Sequence, residues 1–488
     1  MRLFMAKYQQ YVIACAAFGL LSLFVYLLHF NGLYGQDGYE YLRYCNALHG
    51  YFQKGINPGD MFFPMFYSMA GSLICFVFPS PMLVMQGISI VAFCIGMVYI
   101  QKAIQLMFNE DNKMLVSIYI VVFFILSPYV FRFSVLVMSD MLAMMFCLAT
   151  LFHAVSYFKS RANKDFVFCI MFSLAAILTR TPCAIVVSIP VFLVCIRFIK
   201  QFDLVTFLIA LATAAILLAP DYLLRHRVLF FELVHQRPRL VYLRNYPSWS
   251  VLNLFMHEFM TNDGHLTFRQ WNIFQVFFNF IHPGYLFAGI VFVMFIRKVD
   301  FSSLWFKIIS VVVLVYAIFL AGFNSQNMRY LLIDFPWILI LFYPAFKRIA
   351  AFLVQKKIAF VCLLLTVAVQ LIFTGYSFAT VYRYNKADRE FVGAIKSYPG
   401  RTVYCFGPDG ALKAYGLPNK IINISDYKLD HVEPNSLILV NPVSLGSQFS
   451  GTNPGINWKF IQKQKTFRPL EKLADGWELY ETNDDKAW

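Results

Sequence analysis

Asp37, Arg132, Asp140, Arg180 and Arg329 each stand at or near the end of an apolar run. Ionisable residues at membrane depth are costly, so such a set is a functional-site hypothesis by default. A carboxylate there can act as general base toward an acceptor hydroxyl or amine, or can hold a divalent cation. An arginine offers a rigid planar fork suited to phosphate, including one whose lipid tail stays in the bilayer. Each residue also has a plainer use. Asp37, in Gly35-Gln36-Asp37-Gly38-Tyr39-Glu40, could cap a helix starting at Gly38 or Tyr39, and Glu40 fits a capping box as well as a second acid. Asp140 opens a strongly apolar segment, where a helix dipole would favour it. Arg180 and Arg329 could be snorkelling arginines, and Arg132 could simply mark a helix end.

Membrane spans must position these residues. The chain has 488 residues, is 59% hydrophobic and 18% aromatic, and has a mean hydropathy of +0.62. Only 14% of it is charged, well under the roughly one quarter typical of soluble domains. These values predict an α-helical polytopic membrane protein. About eleven candidate spans fall at 11–30, 82–101, 114–131, 141–158, 166–179, 182–197, 204–220, 283–296, 308–323, 331–346 and 358–378. The net charge of +15 collects in short loops, such as Lys159/Arg161/Lys164 and Lys347/Arg348/Lys356/Lys357. That is the positive-inside pattern and not a nucleic-acid face. Most of the ten cysteines sit singly in apolar segments without CxxC spacing, as buried hydrophobes do. His226, His235, His257, His265 and His282 lack metal-ligand spacing. The first run has no small-residue cleavage site and reads as a retained span.

Parity turns on residues 62–79. If this apolar segment crossed, the basic loops would change sides, so it is expected to lie in the outer interface, bounded by Pro64 and Pro79. The N-terminus is then cytoplasmic, and outer loops run over 31–81 and 221–282. Long loops of this kind are usually functional. Residues 1–378 form the membrane domain. From about residue 379 to 488 the composition is that of a soluble domain, with a helix over 388–398 and strands near 401–407, 436–442 and 476–482. This predicts a small extracytoplasmic α/β domain.

The order of these pieces resembles the polytopic glycosyltransferases of the GT-C fold, especially the bacterial branch similar to protein O-mannosyltransferases and lipid A aminoarabinose transferases. Gln36-Asp37-Gly38-Tyr39-Glu40 occupies the place of that family's first-loop acid, and Phe63-Pro64-Met65-Phe66-Tyr67 that of its Pro-Pro-Leu-Tyr-Tyr-like helix. Ser139-Asp140-Met141-Leu142 matches an Asp opening a later span. Leu178-Thr179-Arg180-Thr181-Pro182 echoes a Leu-Thr-Lys-Gly-like turn, with Arg180 in place of the usual Lys. Arg329-Tyr330-Leu331-Leu332 echoes an Arg-Tyr-Leu-Leu-Pro-like run, with Ile333 where Pro is expected. The resemblance covers about the first 345 residues in order.

It implies an inverting enzyme of a bacterial inner membrane. Such enzymes move a sugar from a polyprenyl phosphate or pyrophosphate to a lipid, glycan or protein acceptor at the periplasmic face. Asp37 would then be the general base and Asp140 would orient it or share a divalent metal ion with it. Arg180, Arg329 and Arg132 would neutralise the leaving phosphate, with Tyr39, Glu40 and Tyr330 lining the substrate site. Two other functions fit the residues. An O-antigen ligase or polymerase would use the loop 221–282, with Arg239 and His235. A lipid-linked sugar transporter or flippase would be expected to show inverted repeats, and the sequence displays no such symmetry.

Overall fold

Apolar runs closed by Pro, Gly or Asn become the helices of a bundle. In the computed structural model, residues 2–59, 61, 63–228, 249–261, 264–323, 327–464 and 467–482 are described. The first half comprises α1 (Arg2–Leu27), α2 (Gly35–Lys54), α3 (Phe66–Ile74), α4 (Pro81–Phe108), α5 (Lys113–Ile120), α6 (Pro128–Ser134), α7 (Asp140–Ser160), α8 (Asn163–Thr179), α9 (Cys183–Ile199) and α10 (Leu204–Val228). After a β1–β2 hairpin (Glu258–Thr261, Gly264–Thr267) come α11 (Asn272–Ile281), α12 (Gly289–Met294), α13 (Leu304–Ala321), α14 (Phe335–Gln355) and α15 (Ala359–Lys396).

Among the described residues, seven helices are long and apolar enough to cross a membrane: α1, α4, α7, α10, α13, α14 and α15. An eighth is the α5–α6 pair, bent by 76°. This is fewer than the eleven spans expected. Two of the others, α8 and α9, have 17 residues each, or about 26 Å of helix. The third, expected at 283–296, carries only the six-residue α12. Pro283, Gly284 and Gly289 interrupt it. A Cβ at Gly284 would lie 2.5 Å from the Tyr129 ring, so the chain passes there only as glycine.

The segment 62–79 yields α3, nine residues and about 14 Å long, too short to cross alone. It packs sideways: Tyr67 donates to the Met85 carbonyl (2.8 Å), and Ser68 to that of Tyr41 (3.0 Å). At the other end of the bundle the basic loops meet. Lys159 reaches Asn109 (2.7 Å), Lys347 pairs with Glu110 (2.6 Å), and Arg348 pairs with Asp300 (2.6 Å).

The last helix does not stop where apolarity stops. α15 runs 38 residues, joining the last expected span to the helix expected at the start of the C-terminal domain. Beyond it lies a five-stranded sheet in the order β4-β3-β5-β7-β6. Its strands are β3 (Val403–Cys405), β4 (Ile421–Asn423), β5 (Leu437–Val440), β6 (Phe467–Lys472) and β7 (Glu478–Thr482). β3 lies between β4 and β5 and is parallel to both, and β7 is antiparallel to β5 and β6. Side chains alternate between faces. Val403, Cys405, Leu437 and Leu479 pack on Phe391 and Ile395 of α15, while Tyr404, Ile438 and Tyr480 pack on Trp458 and Ile461 of α18 (Asn453–Gln464). Two short helices, α16 (Asp409–Ala414) and α17 (Pro442–Gly446), follow β3 and β5.

Candidate functional site

Two buried ties bring Asp37 and Asp140 to the same end of the bundle. The Val137 N–H donates to the Gly32 carbonyl (2.8 Å), so the segment before α2 lies along the segment before α7. Gln86 of α4 then donates to the carbonyls of Val135 (2.8 Å) and Phe30 (3.3 Å). Gly32 has φ +76, and a Cβ there would lie 2.8 Å from the Gln86 amide nitrogen, so no larger residue fits the turn. The helix begins earlier than Gly38: Tyr34 is the N-cap of α2, and Asp37 lies in its first turn. Asp140 is likewise the first residue of α7, after Ser139. Arg180 follows α8 directly, in extended conformation. Arg329 lies in a short 3-10 turn (Met328–Leu332), entered through Asn327, whose side chain accepts the Arg329 N–H (2.9 Å).

Four of the five ionisable residues converge. Arg329 bridges the two acids: its Nε lies 2.9 Å and 3.1 Å from the Asp140 oxygens, and its Nη1 donates to Asp37. Arg180 also donates to Asp140. The four make one chain of alternating charge, Asp37–Arg329–Asp140–Arg180. Exposure distinguishes the two acids. The Asp140 side chain is 0% exposed, Arg180 9% and Arg329 10%, while Asp37 is 34% exposed. Asp140 is enclosed by guanidiniums, whereas one third of the Asp37 side chain faces solvent.

Tyr330 lies with its ring 5.4 Å from the Arg180 guanidinium carbon. Arg132 is set among aromatic rings, 4.9 Å from that of Tyr34 and 5.4 Å from that of Phe133. Its Nε has no hydrogen-bond partner among the described residues. Glu40 turns instead to Arg43 (2.9 Å), three residues on. Tyr39 is buried, and its hydroxyl donates to Asp388 of α15 (2.7 Å), away from Asp37. Burial and the Asp388 carboxylate push the Tyr39 hydroxyl far above its usual range, so it stays protonated and donates. Sequence reasoning missed Tyr41 and Ser139, whose hydroxyls share a bond of 2.7 Å beneath the acids. Tyr41 is one of 28 tyrosines, and nothing in its spacing distinguishes it.

A divalent ion on Asp37 and Asp140 does not fit this donor set. Arg329 occupies the space between the two carboxylates, and among the described residues no group of three or more His, Cys, Asp or Glu converges. Of the loop 221–282, Arg237, Arg239, Arg244 and His235 lie outside the described residues, as do the side chains of Arg225, His226 and Arg227.

No protein-family profile matches the sequence, and no curated protein matches it. Solved structures do match. ArnT from Cupriavidus metallidurans bound to undecaprenyl phosphate superposes with a TM-score of 0.57 at 12% identity, over 97% of this chain and 99% of that one. The same enzyme in its apo state gives 0.55 at 12% identity, over 96% and 98%. At this identity the likeness establishes the fold. The chain has the GT-C-like architecture that the order of its motifs led us to expect.

Proposed function

We propose that this protein is a membrane glycosyltransferase that moves a sugar from a polyprenyl-phosphate carrier to an acceptor at the outer face of a bacterial inner membrane. The observation that carries this reading is the open carboxylate of Asp37 held against the buried Arg329–Asp140–Arg180 chain. The ArnT likeness supports it, since that protein binds undecaprenyl phosphate on the same fold. In this scheme the acceptor hydroxyl or amine gives its proton to an Asp37 oxygen. The acceptor atom attacks the anomeric carbon from the face opposite the phosphate, and the sugar–phosphate bond breaks with inversion. Polyprenyl phosphate leaves against Arg329 and Arg180, where positive charge fixed in a water-poor site stabilises the developing anion. Arg132, whose Nε is unpartnered among the described residues, adds a third cation for the phosphate. No step requires a metal.

The test is release of polyprenyl phosphate from a panel of lipid-linked sugars, with a crude membrane extract supplying acceptors. Wild type should release it and Asp37→Asn should fall by at least a hundredfold, an effect of the order of general-base removal. Normal turnover by a correctly inserted Asp37→Asn protein would overturn the role of Asp37. No release from any donor by folded wild type would overturn the transferase reading itself.

A further inference from the structure

The parallel part of the C-terminal sheet has β3 between β4 and β5, so the C-terminal ends of β3 and β5 form a topological switch point. Open α/β sheets bind ligands in that crevice. Here the segment before β7 packs across it. After β3, a Cβ at Gly407 (φ +106) would lie 3.4 Å from the Trp477 ring, and after β5 the Asn441 side chain donates to the Asp475 carbonyl (3.0 Å). The helix that starts at this edge, α16, is turned onto the membrane domain. A Cβ at Gly410 would lie 3.1 Å from the Cβ of Tyr39, and Gln36 reaches Asp409 at 3.4 Å.

The extension of α15 grips the same segment from its other side. Asn385, fully buried, donates to the Asn31 side chain (2.6 Å) and the Leu33 carbonyl (2.8 Å). Asp388 accepts from Tyr39 (2.7 Å), and Tyr415 accepts from Asn31 (2.8 Å). These bonds join residues more than 300 positions apart and bracket Asp37 along the chain. Tyr39 is two residues beyond Asp37, about 200° around a helix. One face of the first turn of α2 therefore meets Arg329, and the opposite face meets the C-terminal domain.

We infer that the C-terminal domain is a positioning part of the site: Asn385, Asp388 and Gly410 hold residues 31–39 so that Asp37 stays against Arg329. This rests on the reading of Asp37 as the base. The value of this positioning follows from how steeply rate depends on placement, since a shift of about 1 Å can cost on the order of a hundredfold.

The experiment uses the full-length chain. Tyr39→Phe, Asn385→Ala and Asp388→Ala should each lower kcat at least tenfold while the donor KM stays within twofold. Asp388→Asn keeps an oxygen that can accept from Tyr39 and should recover most of the loss. A second arm needs no turnover: the thiol of Asp37→Cys should react faster with a soluble maleimide when Asn385→Ala is added. The inference is overturned if kcat stays within twofold of wild type, if kcat falls only together with a raised donor KM and a lower Tm, or if the labelling rate is unchanged. Loss of the transferase reading shows separately, as absence of release by wild type while the labelling arm still reports on the clamp.

Discussion

Asp37 and Asp140 are both carboxylates bonded to Arg329, yet substitution should affect them in opposite ways. Asp140 has no access to solvent and neutralises two guanidiniums that are each about one tenth exposed. Removing one member of such a buried set leaves uncompensated charge, at a cost of about 3–5 kcal/mol. Asp140→Ala should therefore lower the yield of folded protein and its Tm in detergent. Asp37→Asn, at a position one third exposed to screening water, should move Tm little while abolishing turnover. Equal Tm losses in the two variants would mean that both acids are structural. The four residues that converge were legible because charges at the ends of apolar runs are conspicuous. Their pairing was not, since Arg329 meets partners 189 and 292 positions away. Neither was the destination of Tyr39 and Glu40, because adjacent residues of a helix can face another domain or a side chain one turn on with the same local sequence.

Elements add constraints that no single side chain carries. The site end depends on α3 packing against α2 and α4, and Gly71 lies at a tight contact between them. A Cβ there would lie 2.1 Å from the Met85 sulfur and 3.1 Å from the Cys45 sulfur. Gly71→Val should cost about 1–3 kcal/mol through overpacking, read as a lower Tm. The donor KM should rise with it, because α3 supports the helix that bears Asp37. An unchanged Tm would show that Met85 simply swings aside. The bend between α5 and α6 has an equally local cause: a π turn over Val121–Ile125 is followed by Pro128, and Thr374 of α15 donates to the Leu126 carbonyl near the break (3.0 Å). Sequence reading kept residues 62–79 out of the spans, as the nine-residue α3 is, and it found β3, β5 and β7. It missed β4 because it is a half-buried edge strand, and β6 because Pro469 and its charges hide the alternation. It also ended α15 too early, where apolarity falls. The helix continues because residues 379–396 contain no proline and good helix formers.

For the whole molecule, function depends on which side of the membrane the acids face. Asp37, Asp140, Arg180 and Arg329 gather at one end, with α2 and the C-terminal domain beside them. Lys159, Lys347 and Arg348 gather at the other, beside Asn109, Glu110 and Asp300. The basic end should face the cytoplasm, because retained positive charge sets orientation. Two cysteine variants read this directly in intact cells, with wild type as the baseline for the native thiols. A membrane-impermeant maleimide should label Lys428→Cys, on the C-terminal domain, and spare Arg161→Cys, in the loop between α7 and α8, until the cells are opened. The reverse pattern would turn the site inward, where a cytoplasmic nucleotide sugar could serve as donor and a lipid carrier would lose its rationale. Labelling of both from outside would break the α7-to-C-terminus parity and remove the basis for assigning either end. Labelling of Lys428→Cys alone would place Asp37 on the outer surface, where a sugar can arrive only on a carrier that has already crossed the bilayer. The donor would then have to be lipid-linked whatever the sugar or acceptor.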